Sequence, residues 1–169
     1  MKSTALGSIT VGVVVERHKA TSPWLDFVWR PTAALAGMPA AAPWTPLAVE
    51  GDVTTFYAGV ATIELHRTET DNYRRNLATG LPLLWVVLRP TSVEPPYELF
   101  AVTADPAEGE AYTETGTDMV ETVPMPSAIV TAVEQFIAEH HVDRPFFKRQ
   151  RDTTVPDALN GKGGRRSEP

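Results

Sequence analysis

Cysteine is absent from this chain of 169 residues. That excludes disulfides, thiolate nucleophiles, Cys-ligated zinc and protein-held iron–sulfur clusters together. No apolar run reaches the roughly 18 residues needed to cross a bilayer. The first seven residues, Met1 to Gly7, carry one cation and no long apolar stretch, so they do not read as a secretory signal, and the expected location is cytoplasmic. Positive charge is in short supply: 15 Lys and Arg stand against 21 Asp and Glu, for a net −6. A duplex-DNA binder depends on neutralising phosphates, so this balance argues against one. Recognisable catalytic signatures are missing too. No Ser or Thr sits in a nucleophile elbow, and the Gly161–x–Gly163–Gly164 string has no strand before it to make a phosphate loop.

What remains suits one domain. Apolar residues make up 43% of the chain, enough for a single core at this length. The domain is expected over residues 6–151, followed by a basic tail over 152–169. From Lys148 onward six cations face three acids, a net of +3, which leaves −9 for the rest of the chain. The tail holds almost no large apolar residue to offset its ordering entropy, so flexibility is expected there.

Strands dominate the body. Ile9, Val11, Val13 and Val15 alternate with Thr10, Gly12 and Glu16, a half-buried strand. Leu25, Phe27 and Trp29 alternate likewise until Pro31, which should weaken or end that strand. Gly37 to Pro46 reads as a loop, since it holds three prolines and three alanines. Thr54 to His66 predicts a long strand with Tyr57, Ala61, Ile63 and Leu65 in one phase. Leu83 to Leu88 is apolar in both phases, as in a central strand covered on both faces. Tyr97 to Thr103 supplies another strand. Three helices follow from capping and periodicity: one capped by Thr68 and ended near Gly80, one opened by Asp105–Pro106 and ended by Gly116, and one over Ser127 to His140. The last carries an Ile129, Val133, Phe136, Ile137 stripe that requires a covering surface. The pattern predicts an α+β fold: a mainly antiparallel sheet with about three short helices on one face.

Four groups of side chains are able to carry chemistry or binding. Glu64, His66, Glu69 and Tyr73 gather at a strand–helix junction, where a carboxylate orienting an imidazole suits acid–base work or a small-ligand pocket; a structural ion-pair network is the plainer account. Arg67, Arg74 and Arg75 surround the same short helix, and arginine forks suit carboxylates or phosphates, or simply the local acids. Trp29, Arg30 and Trp44, flanked by prolines, fit either a docking shelf or a tryptophan-rich core. Lys148 and Arg149 follow the Phe146–Phe147 pair in a basic run suited to an acidic partner, RNA or an anionic surface. The Glu139–His140–His141–x–Asp143 string has adjacent histidines that a helix turns about 100° apart, so helix capping fits better than a metal site. No catalytic, cofactor-binding or metal-binding residue is assigned, and no cofactor is expected.

Several strings occur together: Val11–Gly12–Val13–Val14–Val15–Glu16–Arg17, Pro23–Trp24, Trp29–Arg30–Pro31, Ala42–Pro43–Trp44 and Phe56–Tyr57–Ala58–Gly59. They continue with Glu64–Leu65–His66–Arg67, Tyr73–Arg74–x–Asn76–Leu77, Trp85–Val86–Val87–Leu88–Arg89, Val123–Pro124–Met125–Pro126 and Pro145–Phe146–Phe147–Lys148–Arg149. This set resembles a family of uncharacterised proteobacterial proteins whose genes commonly neighbour those of molybdenum-dependent formate dehydrogenase and its assembly factors. The resemblance covers Leu6 to Arg151. It implies a non-catalytic accessory protein in assembly, maturation or regulation of that enzyme, with one of its subunits or assembly factors as protein partner. An enzyme or small-ligand binder at Glu64, His66 and Glu69, or a structural subunit of the oxidoreductase complex, are the alternatives.

Overall fold

Alternating valines set the first strand, and the rest of the sheet assembles on it. The computed structural model describes residues 5–37 and 39–141. The expected tail over 152–169, with Lys148 and Arg149, lies outside them. Strand β1 (Gly7–Lys19) pairs antiparallel with β2 (Phe27–Ala36) on one side and β4 (Val53–Leu65) on the other; β3 (Thr45–Glu50) adds to the far edge of β4. A second antiparallel sheet has β5 (Leu83–Pro90) between β6 (Tyr97–Thr103) and β7 (Met119–Pro124). β6 runs beside β4 and β7 beside β2, so the two sheets enclose one core. Val11, Val13 and Val15 face Leu84, Val86 and Leu88 there, all fully buried. Each such side chain contributes about 1.5–3 kcal/mol relative to exposure.

The helices then close the open sides. A 3₁₀ turn (Arg67–Glu69) leads into α1 (Thr70–Ala78); α2 (Pro106–Glu114) lies across the second sheet, and α3 (Ser127–His140) packs on α1 and the start of β1. Asp105 caps α2 as its sequence predicts, accepting from the Ala107 amide at 2.9 Å. Thr68 does not cap α1. It falls inside the 3₁₀ turn, where its hydroxyl meets Glu69, and α1 starts two residues later without a side-chain cap. The α3 stripe packs as periodicity requires, with Ile129, Val133 and Phe136 buried.

Four departures from the sequence reading have physical causes. β2 begins at Phe27, leaves Leu25 in the preceding turn, and runs through Pro31 to Ala36. It is an edge strand in its sheet, and Pro31 sits opposite Val15 at a register shift, where a missing N–H removes little. Tyr57 is out of phase with Ile63 and Leu65. A bulge at Gly59 (φ 139°) leaves Ala58 without a β1 partner, so the inward set switches from Phe56 and Ala58 to Ile63 and Leu65. The predicted loop ends at Trp44 because β3 starts at Thr45, and β7 occupies a stretch with no assigned element. Both are edge strands with few buried residues, so neither shows a strong apolar alternation.

The loop between β2 and β3 must cross the sheet, because those strands are its two opposite edges. It crosses the outer face above β1 and β4. Pro39 would lie 3.4 Å from a Cβ at Gly12, and Pro43 would lie 3.7 Å from one at Gly59.

Candidate functional site

At the strand–helix junction, Glu64 near the end of β4 and His66 just past it have their side chains 3.8 Å apart. Tyr73 lies one helical turn into α1, but it points into the protein. It is 1% exposed, its ring meets Phe136 edge-on at 6.2 Å, and its hydroxyl accepts the His66 backbone N–H at 2.9 Å. Glu69 turns to Thr68 and Asn72, at 3.2 and 3.0 Å. The four residues are therefore neighbours in a structural network, with Tyr73 as its buried post. Burial pushes the Tyr73 phenol up to about 12, against the His66 hydrogen bond and with help from Asp105, Glu108 and Glu69.

This shift has a measurable sign. A phenol whose folded pKa lies above its unfolded value of 10 holds its proton more tightly when folded, so the stabilisation is complete below pH 10 and is lost as pH rises through about 12. Unfolding free energy should fall by on the order of 2 kcal/mol over that window. Tyr73→Phe should flatten the slope, as read from denaturant midpoints between pH 8 and 11.5, with the hydrogen-bond loss appearing equally at every pH.

Sequence reading did not single out Glu108, which α2 brings to the same junction. Partial burial raises its pKa, opposed by a hydrogen bond from Thr103 and the nearby His66, and reinforced by Asp105 and Glu64. Across the second sheet, Arg89 grips Asp118 with two bonds of 3.1 and 3.0 Å and stacks on Phe100 at 3.4 Å. That fork holds the Asp118 carboxyl below its ordinary range. Among the described residues no group of three His, Asp or Glu is placed to hold a metal ion.

The histidines at the end of α3 serve as a clasp. His140 packs against Phe136 at 4.5 Å between ring centroids. His141 reaches Thr70 through Nδ1 at 2.9 Å and Arg74 through Nε2 at 2.7 Å. A guanidinium only donates, so Nε2 accepts and Nδ1–H donates to the Thr70 hydroxyl. Arg74 also lies 3.9 Å from Asp71. Arg67 is exposed on the 3₁₀ turn.

The tryptophans separate into two roles. Trp29 is 8% exposed and stacks on Phe56 at 5.6 Å, with Trp44 edge-on at 5.7 Å and Tyr97 at 6.3 Å. It is a core residue. Trp44, half-buried, adopts φ 63° while its amide bonds the Tyr57 carbonyl at 2.6 Å. Arg30 is exposed. Trp24 is the tryptophan on the surface: it is 89% exposed in the β1–β2 turn, next to exposed Leu25, Phe27 and Val28.

A cleft of about 550 Å³ opens between α1, the start of α2 and the outer face of β5. Leu81, Leu83, Trp85, Pro106 and Ala107 form its apolar walls, and Asn72, Arg75, Asn76 and Thr79 line the α1 side. Two residues hold these walls in place. Asn76, 3% exposed, accepts from the Leu83 amide at 3.0 Å and donates to the carbonyls of Leu83 and Ala104 at 2.8 and 3.0 Å. Gly109 lets α2 settle onto the Trp85 indole, where any Cβ would collide with the ring. The sequence noted Arg75 only as one of three cations. The cleft itself joins residues from three elements and has no local signature.

The chain belongs to the DUF3305 family, described as proteins of unknown function, whose model matches residues 10–151. No curated protein and no solved structure matches it. Among the described residues no helix is long and apolar enough to cross a membrane.

Proposed function

We propose that the protein is a non-catalytic accessory factor, acting by protein–protein binding in the assembly, maturation or regulation of a molybdenum-dependent formate dehydrogenase. The observation that carries the binding part is Trp24, 89% exposed beside exposed Leu25, Phe27 and Val28. An exposed tryptophan flanked by other exposed apolar side chains suits an anchor for another macromolecule. The polar groups first considered for chemistry lend support, since Tyr73 and Glu69 already hold protein groups. The resemblance of the strings from Val11 to Arg149 supports formate dehydrogenase as the enzyme served.

The test is affinity capture of the full chain from a formate-grown source that encodes it. A formate dehydrogenase subunit or assembly factor should co-purify, and Trp24→Ser should reduce its recovery at least about tenfold, the size of an interface anchor. Capture of no such protein by the unaltered chain overturns the reading. Co-elution at fixed stoichiometry with the mature enzyme would instead make this chain a structural subunit.

A further inference from the structure

We propose that the cleft between α1, α2 and β5 binds a small amphipathic carboxylate, with its apolar body against Leu81, Leu83, Trp85, Pro106 and Ala107 and its carboxylate on Arg75. This site is independent of the protein–protein reading above. A volume of about 550 Å³ lies within the roughly 300–1,000 Å³ of small-ligand sites, and the lining follows their usual pattern of apolar walls with few polar groups.

The polar accounting selects the ligand's head group. Asn76 uses its amide group on Leu83 and Ala104. Thr79 donates to the Asn76 carbonyl at 2.9 Å and accepts from the Leu81 amide at 3.2 Å. Asn72 donates to Glu69. At the mouth of α2 the Ala107 amide is taken by the Asp105 carboxylate. Arg75 differs from these neighbours. Its nearest acid one turn back, Asp71, faces Arg74 and His141 at 3.9 Å each. No described residue pairs with the Arg75 guanidinium. A planar cation with unspent donors at the rim of an apolar cleft matches a carboxylate attached to an apolar body. A cationic head would meet repulsion, and an uncharged acceptor would form weaker bonds to the fork than a charge-assisted carboxylate pair.

Octanoate is the probe, titrated into the full chain and followed by amide NMR shifts. Saturable shifts at Arg75, Leu81, Leu83 and Ala107 are expected. Octylamine, with the same body and the opposite head, should bind at least about fivefold more weakly. Arg75→Gln should cost octanoate about the same factor. Leu81→Asp, at a position 79% exposed, should repel octanoate while leaving the fold intact by circular dichroism. The proposal is overturned if octanoate gives no saturable shift at these residues, if octylamine binds as well, or if folded Arg75→Gln binds octanoate unchanged.

Discussion

Asn76→Ala should lower unfolding free energy by about 3–5 kcal/mol, because one truncation strands three polar groups that the Asn76 amide now satisfies. The Leu83 amide loses its acceptor, and the Leu83 and Ala104 carbonyls lose their donor. These groups lie where α1 meets the start of β5 and the β6–α2 connection, and Asn76 itself is 3% exposed. For a domain of this size the loss corresponds to a fall in melting temperature of about 10 °C. Asn76→Asp is the sharper comparison. It keeps the volume and the acceptor for Leu83 but turns an oxygen toward two carbonyls, so it should be no better than alanine. Thermal and urea unfolding of the two variants would decide. A loss below about 1 kcal/mol for both would mean that water replaces the amide, and that the junction is open to solvent.

Gly109→Val should be comparably damaging, at about 3 kcal/mol, despite the gain usually expected on removing a helical glycine. A Cβ at this position would fall 2.8 Å from the Trp85 Cβ and closer still to its indole ring. Neither partner moves freely: Trp85 is fixed by β5 in the centre of its sheet, and α2 is anchored at its start by Asp105. The added methyls therefore push α2 away from β5. Urea unfolding should show the loss, and the Trp85 environment should change in near-ultraviolet circular dichroism. Gly109→Ala tests the same contact with less bulk, and should still destabilise. An unchanged or raised melting temperature for alanine would show that the indole has room to turn aside.

Much of this architecture was visible in residue patterns wherever one face of an element is buried and the other is wet. Val11, Val13 and Val15 place β1, and the two-phase run from Leu83 to Leu88 marks β5 as the central strand of its sheet. Asp105–Pro106 starts α2 at the residue observed, and Ile129, Val133 and Phe136 mark the covered face of α3. Patterns fail where burial fails. β3 and β7 are stitched to their sheets by backbone bonds, which any side chain permits. The Gly59 bulge reverses the phase of β4 midway, so Tyr57 counts on the wrong face.

The candidate residues were legible only in part. Trp29 and Trp44 were named together and do touch, but as packing partners. Arg67, Arg74 and Arg75 cluster along the chain, yet the helix turns Arg74 toward His141 and Arg75 toward the cleft. Glu64, His66, Glu69 and Tyr73 are adjacent as expected, though Tyr73 spends its hydroxyl on the backbone. Asn76 and Gly109 carried no signal in sequence, because their importance comes from Leu83, Ala104 and Trp85, which folding brings to them.

The crossing of the β2–β3 loop has a kinetic consequence. Each half of the first sheet is a hairpin of near neighbours, β1 with β2 and β3 with β4, and either can zip early from local contacts. The central seam between β1 and β4 joins positions as distant as Gly7 and Leu65, and it closes only when the proline-rich span lies on one particular side of it. Closing so long a loop is entropically costly before its contacts reward it. Within this sheet the seam, and not either hairpin, is thus expected to be the late pairing.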